Sequence, residues 1–171
     1  PKPLTPDEEA EHAQWIEEMN AAAQEAPAED SDLYEDRTDP LVDYCRDLSI
    51  RIRKQIKEKA WLPEDPQQEH PLMELQHGIM FASAKLAGAL NGHREDWPPE
   101  ALFAGDCLVR LKKARGYLAD ALASLDAAEA EKLVEAGWIP PLRQELQAIQ
   151  QSVQDKIDEV RAVLRQEESE G

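Results

Sequence analysis

The sequence predicts an all-α fold: an up-down-up-down antiparallel four-helix bundle carrying an N-terminal acidic helix and arm. Three observations predict it. Apolar residues recur every three or four positions along four long segments after residue 40. Proline-bearing breaks separate those segments, which disfavours one long coiled coil. The 171 residues match one bundle plus a tail, since a single core of about 100 to 200 residues is the usual unit. No segment is read as a strand.

The chain opens with Thr5-Pro6-Asp7-Glu8, where Thr5 can cap, Pro6 suits the first helical position and Glu8 can complete a capping box. A short helix over residues 6–25 is expected, with Trp15, Ile16, Met19, Ala22 and Ala23 as a narrow apolar stripe suited to docking on another surface. Residues 26–40, APAEDSDLYEDRTDP, are acidic and poor in aliphatic side chains, and read as a linker arm. In the first bundle helix Leu41, Cys45, Leu48, Ile52 and Ile56 form one face, ending before Pro63. The second carries Leu72, Leu75, Ile79, Ala82, Leu86 and Leu90, with Asn91-Gly92 as its stop. The third starts after Pro98 and Pro99, and its seam of Ala101, Ala104, Leu108, Leu111, Arg115, Leu118, Leu122 and Leu125 is interrupted by one base. The fourth opens at Trp138-Ile139-Pro140-Pro141 and runs through Leu142, Leu146, Ile149, Val153, Ile157, Val160 and Leu164. The domains so read are residues 1–39, a bundle over 40–166, and a polar tail over 167–171.

Composition narrows the function classes. A mean hydropathy of −0.65 and the absence of a long apolar run leave no room for a transmembrane helix. The acidic, proline-bearing start lacks the pattern of a secretory signal, so a cytoplasmic location is expected. Cys45 and Cys107 lack C-x-x-C spacing, which favours two free buried thiols and disfavours zinc. The net charge of −17 argues against non-specific nucleic-acid binding. Its distribution is uneven, because residues 1–39 hold thirteen acids against Lys2 and Arg37. Two basic clusters stand out in the rest: Arg46, Arg51, Arg53, Lys54, Lys57 and Lys59, and then Arg110, Lys112, Lys113 and Arg115. Both fit solvated helix faces, and both fit a site for an acidic protein surface or a nucleic-acid backbone.

Three further segments carry a resemblance. Residues 81–92 (FASAKLAGALNG), 114–120 (ARGYLAD) and 137–139 (GWI) are similar to a family of bacterial four-helix proteins encoded in intervening sequences of 23S ribosomal RNA genes. Relatives of that family include the accessory variability determinants of diversity-generating retroelements. The family pattern has a small-residue second helix ending in Ala-Glu-Gly, an Ala-Arg-Gly-x-Leu-x-Glu stretch in the third, and Gly-Tyr-Ile at the start of the fourth. This chain matches in layout over residues 40–166, keeping Gly92, Arg115 and Gly116, and departs at Asn91, Asp120 and Trp138. The resemblance implies a homo-oligomer, typically a five-fold ring, without enzymatic activity, acting on a partner such as a reverse transcriptase or nucleic acid. Relatives of the retroelement type are basic and this chain is acidic, which favours a protein partner over direct nucleic-acid binding.

Apart from any family, Arg115 inside an apolar seam needs acceptors, because a buried unpaired guanidinium costs several kcal/mol. If the second and third helices fold back about the 91–98 turn, Arg115 falls near Glu74 and Gln76. A pair with Glu74, escape to solvent and a subunit contact are the three alternatives. Gly88, Gly92 and Gly116 remove side-chain bulk, as tight packing within the chain or between subunits requires.

Catalytic and metal patterns are missing from the sequence. Glu74-x-x-His77 and Glu9-x-x-His12 have the spacing of carboxylate-bridged di-iron motifs. The fourth helix, however, has no His, and the first offers only Glu58 near its end. His70, His77 and His93 read as a helix-start, a seam-edge and a loop residue. No Gly-x-Ser-x-Gly, no phosphate-binding glycine loop and no activated thiol context occurs, and Glu64-Asp65 and Glu95-Asp96 lie in turns. The expected function is therefore a non-enzymatic, cofactor-free oligomeric interaction module. In that reading the basic clusters engage the partner, and the acidic arm covers them or recruits a second protein. Two rivals remain: a bundle holding a small molecule or metal between its helices, and a regulator or mimic acting through the acidic tail.

Overall fold

The computed structural model describes residues 5–11, 13–15, 38–93 and 96–170. The chain divides into two units between Arg37 and Thr38. In the first, residues 6–11 and 13–15 are helical. Thr5 Oγ1 accepts from the Glu8 amide at 3.2 Å while the Glu8 carboxylate accepts from the Thr5 amide at 3.4 Å, the reciprocal capping box the sequence predicts. The expected stripe beyond Trp15 and the arm up to Arg37 lie outside the described residues.

The second unit is built from four helices: α1 (Pro40–Glu58), α2 (Pro71–Leu90), α3 (Ala101–Ala130) and α4 (Ile139–Glu170). Short 3-10 turns, Asn91–His93 and Ala136–Trp138, follow α2 and precede α4. No strand occurs among the described residues, and no helix there is long and apolar enough to cross a membrane. Helix starts follow local chemistry. Asp39 accepts from the Leu41 amide at 2.8 Å, His70 Nδ1 accepts from the Leu72 amide at 3.1 Å, and Pro40 and Pro71 sit just inside, where no amide hydrogen is missed.

The helix ends depart from the sequence reading. Gly92 has no left-handed backbone, and α2 instead tightens into the 3-10 turn, where the Asn91 side chain accepts from the Asp39 amide at 3.1 Å. Among the described residues the left-handed ones are Ala60 (φ 51°) and Lys132 (φ 56°). Behind them the Trp61 amide reaches the Ile56 carbonyl and the Leu133 amide reaches the Ala128 carbonyl, the paired closure of a Schellman end. α4 also continues to Glu170, since Gln and Glu are good helix formers even when fully exposed.

Side chains join the helices to one another. Cys107 Sγ lies 3.4 Å from the Ala89 carbonyl oxygen, Arg143 bonds Asp126 across α3 and α4, and Tyr44 bonds Glu145 across α1 and α4. The shared interior is lined by Cys45, Leu48 and Ile52, by Leu75, Ile79 and Leu86, by Leu111 and Leu118, and by Leu146, Val153 and Ile157. Two seams differ in part from expectation, although Cys45, Leu48, Ile52 and Ile56 in α1 and Ala104, Leu111, Leu118 and Leu125 in α3 are buried as expected. Val42 is buried in place of Leu41, and α3 turns Cys107, Ala114 and Ala121 inward in place of Leu108, Arg115 and Leu122. These smaller residues let α3 lie close to α2. A Cβ on Gly78 would stand 3.1 Å from the Tyr117 carbonyl oxygen and 3.3 Å from Ala121 Cβ.

That close fit sets the register. Phe81 faces Tyr117, with ring centroids 5.2 Å apart, so Arg115 is about two helical turns from Glu74. The pair with Glu74 does not form. Arg115 is half-buried at the edge of the seam and donates to Gln154 Oε1 on α4 at 3.0 Å. Gly92 and Gly116 have nothing near a would-be Cβ, so neither serves close packing; Gly78 does.

Candidate functional site

Two surfaces collect the polar and aromatic residues that the core does not use. The first is the outward face of α1. Arg46, Ile50, Arg53 and Lys57 follow one another at four-, three- and four-residue steps, so one exposed stripe contains them, with Lys54 beside it. Ile50 is 50% exposed at its centre. Arg46 pairs with Asp43 at 3.0 Å, whereas Arg53, Lys54 and Lys57 join no ion pair among the described residues.

Arg51 belongs elsewhere. It turns toward α4 and donates to Glu145 at 2.7 Å, and the Tyr44 hydroxyl donates to the same carboxylate at 2.8 Å. Burial pushes Glu145 up, but the hydrogen bonds from Arg51 and Tyr44 outweigh it and hold the carboxyl below its ordinary range. Tyr44 is raised, first by its bond to Glu145, and Arg51 is raised for the same reason. Arg51 thus ties α1 to α4.

The second basic cluster does not form a patch. Successive residues of a helix point about 100° apart, which spreads four consecutive-turn bases around α3. Arg110 donates to Asp106 at 3.1 Å and lays its guanidinium over Gly88 on α2. Arg115 faces α4 beside Gln147, Gln150, Gln151 and Gln154. Lys112 and Lys113 are exposed, as Arg110 is.

The second surface is an open groove of about 480 Å³ between α2 and α3. Glu74, His77, Gly78 and Phe81 line one wall, and Tyr117, Asp120, Ala123 and Ser124 line the other. Gly78 and the alanines give it depth, since longer side chains there would fill it. Ser124 Oγ donates to the Asp120 backbone carbonyl at 3.0 Å, which leaves the Asp120 carboxylate outside that bond. The groove brings Glu74 and Asp120 together, two residues singled out for unrelated reasons in the sequence. Phe81 and Tyr117 were not anticipated there. Their signal is faint: Glu74, His77 and Phe81 share one face at i, i+3, i+7, as do Tyr117, Asp120 and Ser124, and only the register shows that the two faces meet.

The two cysteines lie away from both surfaces. Both cysteines are free and buried, as the sequence predicts. Burial pushes the Cys45 thiol up to about 12, and burial aided by Asp106 pushes Cys107 up to about 11, so neither forms a thiolate near neutral pH. Among the described residues no three His, Cys, Asp or Glu side chains gather as a metal ion would need. Compared with family models, curated proteins and solved structures, the chain matches none of them.

Proposed function

We propose that the four helices close as an up-down-up-down antiparallel bundle and that the chain is a non-enzymatic interaction protein. In this reading it binds an acidic protein surface through the outer stripe of α1. The observation that carries it is the set of bases Arg53, Lys54 and Lys57, which join no ion pair among the described residues, around the exposed Ile50 in a protein of net charge −17. In so acidic a chain, carboxylates are plentiful enough to neutralise a solvated base at many positions. A stripe that stays positive around an apolar centre has the make-up of a recognition patch, with a hydrophobic contact inside a charged rim. The layout resemblance over residues 40–166 supports the same reading and adds self-association, with a five-fold ring as the expected assembly and a nucleoprotein such as a reverse transcriptase as the partner type.

Titrating the full chain with a fluorescent polyglutamate peptide at low salt tests the surface. The peptide is expected to bind with strong salt dependence, and R53E/K57E to weaken it about tenfold or more. The I50S variant is expected to weaken it less. Equal binding by R53E/K57E removes the stripe from the proposal, and preference for a single-stranded RNA over the peptide replaces the protein partner by a nucleic acid.

A further inference from the structure

We propose that the outward face of α3 pairs two copies of this chain, antiparallel about a two-fold axis at Val109. The contact deepens the self-association put forward above and rests on it, but it does not use the α1 stripe. It also differs from a ring contact, where two different faces meet, and so can join two chains or two rings. α3 turns Ala104, Cys107, Leu111, Ala114 and Leu118 into the core. Its opposite side runs through Leu102, Gly105, Val109 and Gly116, at the three-, four- and seven-residue steps of the seam between two coiled helices. The large members of this seam are open to water, with Leu102 83% and Val109 51% exposed. Its small members leave room, since a Cβ on Gly105 or Gly116 would have nothing within 4 Å.

Size and charge together select the occupant and the register. Leu102 stands seven residues before Val109 and Gly116 seven after it, so an antiparallel copy centred on Val109 sets each Leu102 over the open space at Gly116 of the other copy. Asp106 stands three residues before Val109 and Lys113 four after it, on the same flank of the seam, and a two-fold axis between antiparallel helices brings like flanks together. Each Asp106 therefore meets Lys113 of the other copy. Lys113 joins no ion pair among the described residues, and Asp106 holds only an exposed pair with Arg110. A register centred on Lys113 would set Asp106 against Asp120 and Lys113 against itself, like charges in both places. One centred on Gly116 would carry Leu102 to the end of α3 at Ala130, away from the seam that covers it. Asp106 is also the only acid between residues 101 and 119, so two chains of net charge −17 meet there with little carboxylate repulsion.

A cysteine at the axis and a charge swap on the flank test the contact in the full chain. Val109→Cys under mild oxidation is expected to give a disulfide-linked pair, which the natural chain and Lys57→Cys, exposed on α1, do not. In sedimentation across a concentration series, D106K and K113D are each expected to weaken pairing about tenfold, and D106K/K113D to restore it to within about threefold of the natural chain. Leu102→Ser is expected to weaken it about tenfold through lost apolar contact. The proposal is overturned if Val109→Cys links no faster than Lys57→Cys, or if the double charge variant pairs no better than either single one. A natural chain that stays a single subunit at every concentration removes self-association and this contact with it. A chain that assembles while Val109→Cys does not link removes this contact alone. Should Val109→Cys fail to fold, the charge swap decides the matter.

Discussion

Cys45 illustrates how much a single side chain carries. It is fully buried, its thiol sits 3.8 Å from the Ile79 carbonyl oxygen, and burial pushes its ionisation up to about 12 from an ordinary 9.0. Above pH 9 the unfolded chain releases this proton and the folded chain keeps it. The stabilisation is therefore complete below pH 9 and is lost as pH climbs toward 12, by up to about 1.4 kcal/mol per unit. Urea midpoints measured at about pH 7 and about pH 10.5 are expected to fall further in the natural chain than in Cys45→Ala. Equal falls would show that the thiol does not report its burial. Arg115 shows the opposite case. Its place in the seam suggested a pair with Glu74, escape to solvent or a subunit contact, and the structure makes it a half-buried donor to Gln154.

Gly78 does for a helix pair what Cys45 does for one site. In α2 the glycine permits the close approach of α3, with the Tyr117 carbonyl 3.1 Å from where a Cβ would stand. Gly78→Val is expected to cost about 2 kcal/mol in urea unfolding, because the backbone carbonyl cannot yield as a side chain can. Gly116→Ala is the matched control. Gly116 is exposed in the middle of α3 with open space around it, so alanine there is expected to gain about 0.5 to 1 kcal/mol. If the two substitutions have similar effects, the close approach is not what Gly78 supplies. The existence of all four helices was legible from the spacing of residues such as Leu48, Ile52 and Ile56, and so were the caps at Thr5 and His70. The ends at Ala60 and Lys132 were not, since left-handed closure by a non-glycine residue leaves no mark in composition.

Across the molecule, oligomeric state is the property that tests the proposed assembly directly. The exposed apolar residues Leu102, Phe103 and Val109 at the start of α3 add to Ile50 as contact surface outside the core, with Leu102 83% exposed. Light scattering of the purified chain is expected to give a mass above that of one 19.3 kDa subunit, and five subunits under the ring proposal. A mass of one subunit at high concentration would refute self-association and with it the ring.

Most of the residues that turn inward, Leu48, Ile52, Leu111 and Leu118 among them, and where each helix begins were written into the order of amino acids, because both follow from chemistry within a few turns of one segment. How α2 slides and rotates against α3 was not, because that offset is chosen by the fit of Gly78 against Tyr117 and Ala121, residues some forty positions apart. The offset in turn placed Glu74, Phe81, Tyr117 and Asp120 around one groove and kept Arg115 away from Glu74. A periodic pattern specifies a face along its own axis and carries no information about its level on a neighbour; packing supplies that.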